Sequence, residues 1–235
     1  MSLTHDQKIQ MTVIEMFRDR GYTFPNKYSP EILLTMRPDQ WEKLPFFGNR
    51  VTNLNDLVTD SNGTPIYVHI MKDEEPFSGV KHKETVSREI SRNLNPVYPD
   101  IKVSNKDLDE IYQHVHLVII FNANRNPSKR YEMTKFETEA FPIFNLEIWP
   151  KHRLKFNVTK HSSVSKHEKL TPEQNKQYKE TFNLNNANIQ KMFWDDPVNR
   201  YYYGQPEDIY RIKRIGQGLN YRIVSKKMLS GLKTK

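Results

Sequence analysis

Three groups of side chains have identities and spacings suited to a reaction or to binding. His114 and His116 stand two apart, so on a β-strand both imidazoles would leave the same face, as some zinc sites require. They border an apolar run, however, and spacing specifies no third ligand, so no metal site is expected. Asp39, Asp100 and Lys102 could serve a magnesium-dependent nuclease, whose carboxylates hold the ion while a lysine orients the attacking water. An Asp-x-Lys arises by chance where 27% of residues are charged, and Pro99 beside Asp100 points to a turn, so a solvated loop is the plainer account. There is no Gly-x-Ser-x-Gly elbow, no phosphate-binding glycine loop and no dinucleotide fingerprint. No catalytic residue, metal or cofactor is expected.

The third group interleaves cations with aromatics: Arg200, Tyr201, Tyr202, Tyr203, Tyr210, Arg211, Lys213, Arg214, Tyr221 and Arg222. Such a mixture can form a nucleic-acid surface. On a strand, though, Tyr210 and Ile212 face away from Arg211 and Lys213, so the simpler account is an amphipathic hairpin with one packed side and one side presenting cations. Protein interfaces favour tyrosine and arginine together, which puts a protein partner ahead of direct nucleic-acid binding. Lys226, Lys227, Lys233 and Lys235 read as a solvated tail.

The elements that must carry these residues are readable in outline. Thr4 with Gln7 three residues on is a capping box, and Ile9, Val13, Met16 and Phe17 form the apolar stripe of a helix that ends at Arg20 before Gly21. Pro25, Pro30 and Pro38 then allow only short turns, with Trp41, Leu44, Phe46 and Phe47 packing the segment onto the core. Asp60 to Gly63 is turn chemistry ahead of a strand over 66–71. Helices are expected over 84–93 and from about Ser104, and 115–121 reads as a strand buried on both faces. Beyond Trp149 and Pro150, the spacing predicts a strand over 154–159. A capped helix runs from Pro172 toward Phe182, and a short helix opens at Asp196 and Pro197 and closes at Gly204. Strands over 209–214 and 219–225 are joined by the turn at 215–218. The expected fold is an α/β N-terminal domain over 1–150 and a small α+β C-terminal domain over 151–235.

Charge divides along the same border. Residues 1–150 hold 18 Lys+Arg against 21 Asp+Glu, whereas residues 151–235 hold 18 against 7, within a net charge of +8. The basic part must seek nucleic acid or an acidic protein surface. With no cysteine among 235 residues, disulfides and thiolate ligands are excluded. The start lacks a secretion signal and no run suits a membrane span, so an intracellular setting is expected.

The order of motifs in 155–225 resembles the C-terminal assembly domain of the shared fifth subunit of eukaryotic-type DNA-directed RNA polymerases, and of its small archaeal counterpart. The likeness is carried by His161, then Lys166-His167-Glu168 before the capped helix, then Asp196-Pro197-Val198-Asn199-Arg200-Tyr201, a basic strand with Arg211, and the closing Asn220-Tyr221-Arg222-Ile223-Val224. Phe17-Arg18-Asp19-Arg20-Gly21-Tyr22 is similar to the opening of the eukaryotic version. Ser165 replaces the family's usual proline, and the turns at 205–208 and 215–218 also depart from it, marking a divergent homologue, with a large DNA virus or a protist as the suggested source. The resemblance implies a non-catalytic subunit that binds the largest polymerase subunit through its C-terminal domain and places a jaw-like N-terminal domain near downstream duplex DNA. It implies partner-binding roles for His161, Lys166, His167, Glu168, Asp196, Pro197, Val198, Arg200, Tyr201, Arg211, Tyr221 and Arg222. Location would follow the polymerase: the nucleus in a cell, a virion or host cytoplasm for a virus.

Overall fold

The computed structural model describes residues 3–41, 43–71, 88, 92–97, 114–122, 137, 145–185, 187–214, 216 and 218–225. The chain divides into two compact units, Met1–Phe156 and Asn157–Lys235.

In the first unit, α1 (His5–Asp19) begins with the reciprocal cap. Thr4 Oγ1 accepts the Gln7 amide and Gln7 Oε1 accepts the Thr4 amide, so two otherwise orphaned donors are satisfied. The helix buries Ile9, Val13, Ile14, Met16 and Phe17 and exits through Gly21 at φ 72°, a left-handed step that glycine takes without strain. The proline-rich stretch that follows holds only α2 (Pro30–Thr35) and α3 (Pro38–Trp41) besides short 3-10 turns. The indole of Trp41 ties them together by donating to the Leu33 carbonyl at 2.7 Å.

These pieces accompany a parallel sheet of β1 (Ile66–Ile70), β2 (His116–Phe121) and β3 (Leu146–Pro150), with β2 central. All six residues of β2 are buried, which explains why its sequence is a continuous apolar run rather than an alternating one. The unit is α/β, as the order of strands and helices predicts. Most of 84–93, and the helix expected from Ser104, lie outside the described residues; Arg88 and residues 92–94 are helical.

The strand expected over 154–159 is not formed. Lys151–Leu154 and Val158–Lys160 are 3-10 turns. The cause lies in Asn157, whose Oδ1 accepts both the Thr159 amide at 2.9 Å and the Thr159 hydroxyl at 2.6 Å. Local side-chain bonds of this kind compete with a strand ladder for the backbone.

The second unit contains β4 (Lys166–Lys169), α4 (Pro172–Thr181), β5 (Lys191–Met192), α5 (Pro197–Tyr201), β6 (Ile209–Lys213) and β7 (Leu219–Val224). The sheet order is β4-β6-β7-β5. β4, β6 and β7 are antiparallel in turn, and β5 adds parallel to β7. Apolar residues pack on both sides of this sheet. Tyr210, Ile212, Val224 and Met192 meet Trp194 and Val198 on one face, while Ile209 and Ile223 meet Leu170 and Ile189 on the other.

α5 ends with a left-handed step at Tyr203, at φ 53°, just before the closing Gly204, whose amide donates to the Asn199 carbonyl at 3.0 Å. Glycine is required at 204 because a Cβ there would run into the Asn199 carboxamide and the Tyr210 hydroxyl.

Candidate docking surface of the C-terminal unit

Lys166, His167 and Glu168 lie on β4, where β-pairing sets them opposite Lys213, Ile212 and Arg211 of β6. Arg211 donates to Glu168 Oε2 through Nη2 at 2.7 Å and through Nε at 3.2 Å, and the guanidinium holds that carboxyl below its usual range. His167 is half-buried, edge-on to Tyr210 at 6.3 Å between ring centres. Its Nδ1 lies 2.6 Å from the Ser165 carbonyl oxygen. A carbonyl can only accept, so Nδ1 carries the proton. His161 is exposed on the preceding turn, with its Nδ1 2.7 Å from Ser163 Oγ.

The second group is positioned by α5. Asp196 Oδ1 accepts the Val198 amide at 2.9 Å, with Pro197 at the first helical position, an arrangement that satisfies a free donor and fixes the helix direction. Val198, Arg200 and Tyr201 are turned inward. Val198 joins the core, the Arg200 guanidinium lies 4.7 Å from the centre of the Trp194 ring, and Tyr201 Oη accepts from Asn157 Nδ2 at 2.8 Å. Asn199, between them, donates from Nδ2 to the Trp194 and Gly204 carbonyls. What these residues offer outward is the shape of the loop that they hold.

Tyr221 and Arg222 neighbour each other on β7 but leave opposite faces of the sheet. Tyr221 is opposite Arg211 and stacks on Tyr178 of α4 with ring centres 4.1 Å apart, whereas Arg222 is opposite Tyr210. The structure thus brings Lys166, Glu168, Arg211 and Tyr221 onto one sheet face and leaves the α5 residues within the packing of the other.

Of the residues of the nuclease pattern, only Asp39 lies among the described residues. Asp39 is exposed on α3, 3.8 Å from the Arg37 guanidinium, and Asp100 and Lys102 lie outside the described residues. The two histidines of the zinc pattern do not share a strand face. His114 is helical and exposed, while His116 opens β2 and is fully buried. No group of three His, Cys, Asp or Glu is placed to hold a metal among the described residues.

What sequence reading missed is the company that His116 keeps. Its Nδ1 lies 3.2 Å from Asp60 Oδ2 and its Nε2 lies 2.9 Å from Glu147 Oε1. Arg20 grips both oxygens of Glu147, at 2.7 and 2.8 Å, and the Trp149 indole donates to Glu147 Oε2 at 3.0 Å. Burial alone would raise the Glu147 carboxyl, but Arg20 and His116 reverse that and hold it far below its usual range. The cluster joins the exit of α1, the turn at Asp60, β2 and β3. One signal was available: Glu147 interrupts the apolar run from Leu146 to Trp149, and a carboxylate there must find cations inside.

Residues 156–224 match the family described as RNA polymerase Rpb5, C-terminal domain. The match covers nearly all of the described C-terminal unit, and every candidate docking residue, from His161 to Arg222, falls within it. Similarity extends further: the chain is 22% identical over 215 residues to DNA-directed RNA polymerase subunit 5-like protein 1 of Arabidopsis thaliana, covering 90% of each chain. The protein is a divergent Rpb5-like chain.

Proposed function

We propose that this protein is a non-catalytic subunit of a multisubunit DNA-directed RNA polymerase. Its C-terminal unit fastens it to the largest subunit, and its N-terminal unit forms part of the lower jaw beside downstream duplex DNA. The observation that carries this reading is the Rpb5 domain match over 156–224, supported by a subunit-like relative similar across nine-tenths of the chain. Charge supports the division of labour. The basic C-terminal part suits an acidic protein surface, while the N-terminal part, with fewer cations than carboxylates, suits only a weak and local contact with DNA phosphates. The polymerising chemistry and its magnesium ions then belong to the largest subunit, and this chain contributes position. It acts wherever the polymerase acts, in a nucleus or in a virion and its host cytoplasm. Among the described residues no helix is long and apolar enough to cross a membrane.

Affinity purification of the tagged full chain from its own cells or infected host tests the proposal. The expected result is recovery of two very large polypeptides together with nucleotide-polymerising activity. Recovery of small or unrelated proteins alone would refute it.

A further inference from the structure

The two faces of the C-terminal sheet are covered unequally. Side chains at directly paired positions in antiparallel strands leave the same side. On the face that carries Ile209 and Ile223, those two are buried with Leu170 and Ile189, and α4 extends the cover by stacking Tyr178 on Tyr221. One row further out, Arg211 and Glu168 bond to each other and remain partly open, with side-chain exposures of 36% and 50%. The outermost row consists of Lys166, Lys213 and Leu219, directly paired across β4, β6 and β7. Both lysines are exposed, and Leu219 is 55% exposed.

This row is unfavourable as it stands. Two like charges directly opposite each other on neighbouring strands repel, and Glu168, the carboxylate on this face, divides its attraction between Lys166 and the Arg211 that it bonds. Beside them a large apolar side chain stands in water. A ligand that brings carboxylates to the lysines and an apolar group to Leu219 relieves both costs together.

We propose that the Lys166, Lys213 and Leu219 row seats an acidic protein segment bearing one large apolar side chain, with carboxylates lying across the lysine pair and the apolar group on Leu219. A nucleic acid fits less well. Glu168 would face its phosphates, Leu219 has nothing to exchange with a sugar-phosphate backbone, and Tyr221, the ring on this sheet face, is stacked on Tyr178 rather than splayed for bases. The identity of the partner as the largest polymerase subunit rests on the function proposed above, whereas the chemistry of the segment rests on the row alone.

Two measurements on the full chain separate these layers. In the first, the isotopically labelled protein is titrated with a short synthetic peptide alternating glutamate and leucine, and separately with a single-stranded oligonucleotide. The expected result is peptide-induced amide shifts centred on Lys166, Glu168, Arg211, Lys213 and Leu219, which Lys166→Glu with Lys213→Glu abolishes while the rest of the spectrum stays folded. Shifts elsewhere, no shifts, shifts that track protein concentration rather than peptide, or an equal response to the oligonucleotide at this row would overturn the proposal.

In the second measurement, the same double variant and Leu219→Asp are expected to lower recovery of the two large polypeptides about tenfold or more, while the charge-matched Lys27→Glu with Arg37→Glu lowers it little. Recovery at the unaltered level overturns the proposal. If the unaltered chain recovers no large polypeptide while the peptide still maps to the row, the polymerase reading fails and the row's preference for acidic segments stands.

Discussion

His116 sits between two carboxylates, and that position decides its protonation. Burial alone would drive the proton off, but Asp60 and Glu147 outweigh it, so the imidazole keeps its proton to higher pH than the ordinary 6.5. The facing groups differ in sign: Asp60 and Glu147 favour the imidazolium, Arg20 opposes it, and the Tyr22 ring lies edge-on at 6.3 Å. A raised folded value means that this contribution to stability is complete below about pH 6.5 and is lost as pH rises through the folded value. Glu147 behaves oppositely. Its contribution is complete above 4.5, the ordinary value, and is lost as pH falls. Stability against urea should therefore be greatest between about pH 4.5 and 6.5, and His116→Gln should flatten the decline on the alkaline side. An unchanged slope in that variant would remove the buried imidazolium from the account. Arg20→Met strips Glu147 of its main cation inside the core and should cost about 3–5 kcal/mol, measured by the same unfolding curves.

At the scale of elements, α5 shows how a five-residue helix can be held in place. Asp196→Ala removes the cap on Val198 and should destabilise the C-terminal unit by about 1 kcal/mol. Gly204→Ala forces a methyl into the Asn199 and Tyr210 side chains and should cost about 1–3 kcal/mol. Thermal unfolding of both variants checks the ranking, which fails if the cap loss exceeds the crowding. Elements with local signals were legible in sequence. Thr4 with Gln7, and the cap before Pro172, marked helix starts that the backbone follows, and the apolar run at 115–121 marked a strand buried on both faces. What was not legible depended on distant partners. β4, with the sequence Lys-His-Glu-Lys, has no apolar alternation and becomes a strand because β6 supplies its ladder and Arg211 its ion pair. The two-residue β5 exists only through β7. Leu154 to Thr159 alternated convincingly, yet Asn157 bent it into turns. The residues proposed for docking lie close together in sequence, but their division between the two sheet faces needed the register.

Across the whole molecule, the two units differ in composition and in the charge they carry. The first is an α/β unit in which Arg20, Glu147, His116 and Asp60 are tied to one another inside the core. The second is a basic sheet whose outer row, Lys166, Lys213 and Leu219, is exposed and is the proposed seat of a partner. Attachment through that row has an ionic component, so the protein should leave its complex more readily as salt is raised, and a salt titration of the captured complex would show no such release if the contact were apolar alone. Everything proposed for the chain's role depends on its membership of a polymerase. That membership can be read by sedimenting a native extract through a density gradient and following this chain, without a tag, alongside nucleotide-polymerising activity. The chain should travel with the activity in a complex many times its own 28.0 kDa; a chain found entirely as a free small species, apart from that activity, would show that it is no polymerase subunit.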